Sequence, residues 1–95
     1  MKKLGIIGAG NMATAITKGM INKKTILPHE MMIFDVDISK LNQFSDLGVA
    51  IASSESEIVK ECHYVLLAVK PQVYSVVLSA IAPFCNKNNV FILNY

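Results

Sequence analysis

Gly8, Gly10 and Ala13 stand in G-x-G-x-x-A spacing, between the apolar residues Leu4, Ile6 and Ile7 and a helical pattern that begins near Asn11. Small residues at this spacing suit a particular task. The first lets the chain reverse tightly out of a strand, the second lets bare backbone approach a phosphate, and the third keeps the following helix close to the sheet. Such a helix directs unpaired N–H groups and the positive end of its dipole at an anion. Residues 7–12 (Ile7, Gly8, Ala9, Gly10, Asn11 and Met12) are therefore expected to present main-chain amides to the diphosphate of a dinucleotide. Asn11 has a side chain that can reach the phosphates or cap the helix. An acidic residue, Asp35, closes the next apolar run about 20 residues on, where ribose recognition is expected.

Glycine turns are common, so the flanking elements carry much of the weight. Leu4, Ile6 and Ile7 read as a strand buried on both faces. Met12, Ala15, Ile16, Gly19 and Met20 recur at helical spacing and predict a packing face. A polar loop over residues 22–28 leads to a second strand at 31–34. Asp37 or Ser39 then caps a short helix with the face Ile38, Leu41 and Phe44. Gly48 suits a helix C terminus before a short strand at 49–52. Ser54 to Glu57 has capping-box spacing and opens a helix running through Ile58, Val59 and Cys62. A central strand is expected at 64–69. Pro71 is preset for the first turn of a fourth helix, whose stripe is Val73, Val76, Val77, Ala80, Ile81 and Phe84 and which Pro83 stops. A fifth strand follows at 90–93. Alternation of this kind with short connections predicts an α/β chain, a Rossmann-like doubly wound parallel sheet truncated after about the fifth strand. Ligands of such sheets sit beyond the carboxyl ends of the strands, so Tyr95 falls where a loop to further structure would begin.

The 95 residues fit one domain, 1–95, and leave no room for a second, which suggests one part of a longer enzyme. A content of 53% hydrophobic and 17% charged residues suits a covered sheet rather than disorder. The net charge of +2, with lysines scattered along the chain, argues against a nucleic-acid partner. No apolar run approaches the ~18 residues of a membrane span. Cys62 and Cys85 lack metal-type spacing and read as buried reduced thiols of a cytoplasmic protein. His29 has no ligand partner at useful spacing. His63 adjoins Cys62, but neighbours at a helix-to-strand junction diverge, so no metal site is expected. Met31, Met32 and Tyr74 read as packing residues. Lys70 reads as a solvated strand-end charge rather than a general acid.

Two stretches together resemble one family. GIIGAGNMATAITKGM (residues 5–20) and LLAVKPQVYSVVL (residues 66–78) are similar to the N-terminal dinucleotide-binding domain of pyrroline-5-carboxylate reductases, and the likeness extends over essentially all 95 residues. The Ala-Val-Lys-Pro-Gln run is more particular to that family than the glycine turn. The resemblance implies a diphosphate at residues 7–12 and a nicotinamide half lined by Ala68, Val69, Lys70 and Pro71. It implies hydride transfer from NAD(P)H to the C=N carbon of pyrroline-5-carboxylate, giving L-proline in proline biosynthesis. It also implies a C-terminal helical domain, absent from this chain, that forms a homodimer or higher oligomer and supplies most substrate contacts. The 95-residue piece alone would then bind dinucleotide without catalysing, and no catalytic residue is expected within it.

This sequence departs from the family's pattern at two places. The family often has a small polar residue and a basic neighbour after the second strand, where Asp35, Val36 and Asp37 stand here. A carboxylate at Asp35 accepts ribose hydroxyls and repels a 2′-phosphate, which favours NADH over NADPH, although Lys40 lies one helical turn further on. Glu55 stands where the family often has an asparagine near the adenosine. Two other readings share the opening motif: the cofactor domain of a β-hydroxyacid or prephenate dehydrogenase, and a freestanding dinucleotide-sensing module.

Overall fold

The computed structural model describes residues 1–93, so the expectation for Tyr95 lies outside the described residues. Five parallel strands form one sheet: β1 (Lys2–Ile7), β2 (Met31–Phe34), β3 (Ala50–Ile51), β4 (Cys62–Leu67) and β5 (Val90–Leu93). Their order is β3-β2-β1-β4-β5. The chain therefore leaves the central pair, β1 and β4, toward opposite edges, and the crevice between their carboxyl ends is where such sheets hold ligands. Four helices connect the strands: α1 (Asn11–Asn22), α2 (Asn42–Asp46), α3 (Glu55–Glu61) and α4 (Tyr74–Ile81). No described helix is long and apolar enough to cross a membrane.

Side chains alternate across a strand, and the core divides accordingly. Leu4, Ile6, Met31, Ile33 and Leu66 pack on one face with Ala13 of α1 and Phe44 of α2. Ile7, Met32, Val65 and Leu67 pack on the other with Ile58 and Val59 of α3 and Val77 and Ile81 of α4. The sheet thus carries helices on both sides, the doubly wound arrangement, while Tyr64 of β4 and Val90, Ile92 and Leu93 of β5 stay exposed. Gly5 faces α3, where an added Cβ would lie 2.6 Å from Ile58 Cγ2 and 2.7 Å from Cys62 Sγ, so helix and strand approach too closely for any side chain.

Several expected faces are re-aimed. On α1 the wholly buried residues are Ala13 and Thr17, with Ile16, Met20 and Ile21 packed beside them, while Ala15 and Gly19 face outward. Seating Ala13 against the sheet fixes this rotation, because residues four apart share a face. Ile26, inside the expected polar loop, is buried under α1's side of the sheet. Ile38 is exposed, because Asp37 caps a separate 3₁₀ turn at Ile38–Lys40 and α2 starts only at Asn42. Gly48, at φ +89°, ends α2 as expected, with its N–H donating to Ser45 O and that of Val49 to Phe44 O. Ser54 Oγ caps α3 by accepting from Glu57 N at 3.2 Å, and Glu57 Oε1 accepts from Ser53 N at 2.6 Å. Cys62 is the first residue of β4 rather than the last of α3.

The stripe expected for α4 is the largest difference. Only Val77 and Ile81 are buried, while Val73, Val76, Ala80 and Phe84 are exposed. Val77 and Ile81, four residues apart, share the one side of α4 that meets the core beside α3. Pro71 opens a 3₁₀ turn at Pro71–Val73 ahead of α4, and a second one, Ala82–Phe84 with Pro83 inside, follows Ile81.

Candidate functional site

The turn between β1 and α1 is held from both sides. Ile7 O accepts from Ala68 N at 2.8 Å, which joins it to the chain leaving β4. Gly8 N donates to Phe34 O at 2.7 Å, and Ala9 N donates to Asp35 Oδ2 at 2.8 Å, which joins it to the end of β2. Gly8 adopts φ +108°, and a Cβ there would lie 2.5 Å from Ala68 O. Gly8 is therefore a glycine that the fold itself requires. Gly10 differs. Its φ of −85° and ψ of −163° suit any residue, and a Cβ built on it meets nothing within 4 Å. Space lies open above this peptide, as a ligand brought close to bare backbone would need.

The expected run of bare amides is accordingly shorter than residues 7–12. The amides of Gly8 and Ala9 are engaged because β2 ends beside the turn and offers acceptors. Those of Gly10 and Asn11 have no protein partner among the described residues, and no side chain caps α1. Gly10 is the N-cap, so Asn11 is the first helical residue, exposed, and its side chain does not cap. Met12 is half-buried one position further on. What remains is the uncapped start of a twelve-residue helix, a geometry that attracts anions.

Beside the turn lies a cavity of about 310 Å³ between the ends of β1, β2 and β4 and the starts of α3 and α4. Ile7, Gly8, Asp35, Glu55 and Val69 share its lining, so five of the residues singled out from sequence come together there. Ala9, Gly10, Asn11 and Met12 form the adjoining turn and helix start. Ala68 is half-buried beneath the turn, and Lys70 and Pro71 are exposed and outside the cavity lining. The remaining walls are Phe34, Val36, Val73, Val76 and Val77. The helical stripe assigned Val73, Val76 and Val77 to the core. A signal was present in Val36, an apolar residue between two aspartates that is 81% exposed. An apolar slot with two carboxylates at its rim can take a flat ring carrying hydroxyl groups, with an anion at the neighbouring helix start.

The other titratable groups serve the fold. Asp37 turns inward on its own loop, accepting from Ser39 N at 3.1 Å and Ser39 Oγ at 2.6 Å, and the Ser39 hydrogen bond holds its carboxyl below the ordinary carboxylate value. Burial pushes the Cys62 thiol up to about 11, with the nearby Glu61 charge adding to the effect, so it stays protonated and inert at neutral pH. Cys85 was expected to be buried but is exposed, in the loop after α4. His29 is exposed, and His63 stacks edge-on against Tyr64 at 4.6 Å. Among the described residues no group of three or more His, Cys, Asp or Glu could hold a metal ion.

Comparison with known proteins agrees with this geometry. The family model described as NADP oxidoreductase coenzyme F420-dependent matches residues 3–93. The pyrroline-5-carboxylate reductase of Staphylococcus haemolyticus is 37% identical over 92 residues, covering 95% of this chain and 34% of that protein. The crystal structure of Plasmodium falciparum pyrroline carboxylate reductase with NADP bound superposes with a TM-score of 0.82 at 27% identity, over 97% of this chain and 32% of the other. Mycobacterium tuberculosis 3-hydroxyisobutyrate dehydrogenase shares the fold, with a TM-score of 0.81 at 19% identity over 98% of this chain and 31% of the other. The chain spans about a third of the length of the curated relatives it matches. With a family model covering nearly its whole length and a dinucleotide-type turn at the crevice of a doubly wound sheet, this chain belongs to the NADP oxidoreductase coenzyme F420-dependent family.

Proposed function

We propose that this chain is the cofactor-binding domain of an NAD(P)H-dependent pyrroline-5-carboxylate reductase. The observation that carries the proposal is the uncapped start of α1 at Gly10, open to space and adjoining the cavity bounded by Asp35 and Glu55. In this reading the amides of Gly10 and Asn11 receive the diphosphate, helped by the helix dipole. The cavity takes the adenosine half. Asp35 accepts from the ribose hydroxyls, and Phe34, Val36, Val73 and Val76 supply apolar walls. Ala68, Val69, Lys70 and Pro71 lead from β4 toward the nicotinamide half. NAD(P)H, when bound, supplies the hydride. A cyclic imine is electrophilic once protonated, so the protein's part is alignment and exclusion of water.

The names of the pyrroline-5-carboxylate reductase relatives and the Ala68 to Gln72 run support the imine substrate over other dehydrogenase chemistry. The full-length protein would carry the activity, with a helical C-terminal domain forming the dimer and contacting substrate, and the 95-residue chain alone would be inactive. Cytoplasmic residence fits this role. Asp35 supports NADH as the better electrostatic match, whereas the family description and the Plasmodium falciparum neighbour both name NADP.

Titration of the chain with NADH and NADPH tests both parts. We expect binding of both, with NADH tighter. NADPH tighter by tenfold would overturn the reading of Asp35. Gly10→Val should abolish binding while leaving the fold intact, because its branches would fill the open space above the turn. Unchanged affinity would remove the turn from the site. An imine-reduction assay on the longest encoded form tests the reaction, with L-proline as the expected product.

A further inference from the structure

The two oxygens of Asp35 each have a main-chain donor. Oδ2 accepts from Ala9 N at 2.8 Å, and Oδ1 accepts from Asp37 N at 2.8 Å. The first bond crosses from β2 into the glycine turn. It lies beside the bond from Gly8 N to Phe34 O at 2.7 Å, so consecutive amides of the turn are tied to consecutive residues of β2. Ala9 is itself buried, at 2% exposure, and the Gly8 Cα sits against the carbonyl of Ala68. The peptide joining Gly8 to Ala9 is therefore fixed by a carboxylate on one side and by the chain leaving β4 on the other. Gly10, whose amide opens to the site, follows directly.

We propose that Asp35 is a positioning residue for the phosphate turn, and that its loss weakens binding of both dinucleotides instead of exchanging one for the other. The proposal rests on the reading of this site as a dinucleotide site. The reason lies in the donor inventory. Both protein partners of Asp35 are N–H groups, which only donate. A carboxylate serves both, in charge-assisted bonds. An asparagine offers one oxygen and one NH₂, so one of the two amides would face another donor. A serine is too short to bridge them. In Asp35→Ser the partly buried Ala9 amide lacks its acceptor, and the turn rotates to find one, whereas an asparagine keeps the Ala9 bond only by turning its NH₂ toward the exposed Asp37 amide. That rotation displaces the Gly10 and Asn11 amides, which serve the diphosphate common to NADH and NADPH. A carboxylate that only read the ribose would behave differently, because its removal would relieve repulsion of a 2′-phosphate and raise NADPH affinity.

The experiment measures NADH and NADPH affinity of the 95-residue chain and of Asp35→Asn and Asp35→Ser, with amide hydrogen exchange at Gly8 and Ala9. We expect both affinities to fall at least tenfold in Asp35→Ser and by less in Asp35→Asn, which can keep the Ala9 bond. In Asp35→Ser, exchange at Ala9 should quicken while Gly8, bonded to Phe34 O, stays protected. In Asp35→Ser, NADPH affinity above that of the unsubstituted chain, or unchanged protection at Ala9, would overturn the proposal. Should both variants fail to fold, the unsubstituted chain still decides the matter through the scalar coupling between Ala9 N and Asp35 Cγ across the hydrogen bond. Presence of the coupling supports the clamp, and its absence refutes it. Failure of the unsubstituted chain to bind either nucleotide would refute the site reading and, with it, the positioning role. That outcome is distinct from binding with a switched preference, which refutes the positioning role alone.

Discussion

The chain leaves the two central strands by two neighbouring turns built on opposite principles. After β1 the turn is glycine-rich and held through its backbone. Gly8 is tied to Phe34, Ala9 to Asp35 and Ile7 to Ala68, and the Gly10 and Asn11 amides that follow have no protein partner among the described residues. After β4 the turn is stiffened by Pro71 and presents side chains, with Val69 and Val73 facing the cavity and Lys70 exposed. The helices that follow differ in the same sense. The stripe of α1 around Ala13 and Thr17 is sealed against the sheet, whereas α4 buries Val77 and Ile81 and leaves Val76 at 69% exposure. One turn is organised for contact through the main chain and the other through side-chain shape. Backbone geometry tolerates almost no change where it is pinned. Side-chain walls tolerate a good deal.

Substitutions at the turns test that contrast most severely. Gly8→Val should destabilise the fold by at least about 2–3 kcal/mol, since it combines a strained φ with a Cβ against Ala68 O. Pro71→Ala in the other turn should cost roughly 1 kcal/mol or less, through added freedom of the unfolded chain. Urea unfolding measures both, and similar losses would break the comparison. The helices come next. Ile81→Ala should cost about 2–5 kcal/mol as a buried large-to-small change, and Val76→Ala should stay within about 0.5 kcal/mol. A large loss at Val76 would mean that the outer side of α4 is packed.

A third prediction sharpens the account of α1. Thr17 is fully buried and its hydroxyl has no partner among the described residues. Thr17→Val keeps the shape and removes an unsatisfied polar group, so thermal unfolding should show neutrality or a gain of up to about 1 kcal/mol. A loss above that size would reveal a hydrogen bond to Thr17. The smallest effect belongs to the far end of the sheet, where Glu30 accepts from Leu27 N at 2.9 Å and pairs with Lys3 at 3.0 Å. The hydrogen bond from Leu27 first, and Lys3 second, hold its carboxyl below the ordinary 4.5. A depressed folded-state value stabilises above the unfolded value and is lost as pH falls through the folded one. Glu30→Gln should therefore flatten the loss of stability below about pH 4.5 slightly, and leave neutral pH nearly unchanged. A steeper acid transition in the variant would contradict this.

Much of the architecture was legible because it is local. The bounds of β2 and β5, the caps at Ser54 and Gly48, and the turn at Gly8 and Gly10 follow from spacing and residue type alone. The faces of helices were less legible. Apolar periodicity identifies a stripe, but α4 has apolar residues on more than one side, and its sequence does not say which side meets the sheet. Gly5 went unassigned because its reason, the approach of α3, joins residues more than fifty positions apart. The candidate site divides the same way. The glycine turn is a contiguous motif and was visible. The valine walls of the cavity and the Ala9 partner of Asp35 belong to different segments.

By itself the sequence determined the order of strands and helices along the chain, the glycine turn at Gly8 and Gly10, and the family to which the chain belongs. These rest on short-range chemistry: φ freedom, capping, and alternation of apolar residues. Only the tertiary structure decided which turn amides stay open, because Phe34 and Asp35 lie twenty-six residues from the groups they engage, Gly8 and Ala9. A hydrogen-bond donor written in the sequence is available until the fold brings an acceptor to it, and that meeting is set by how the strands pack.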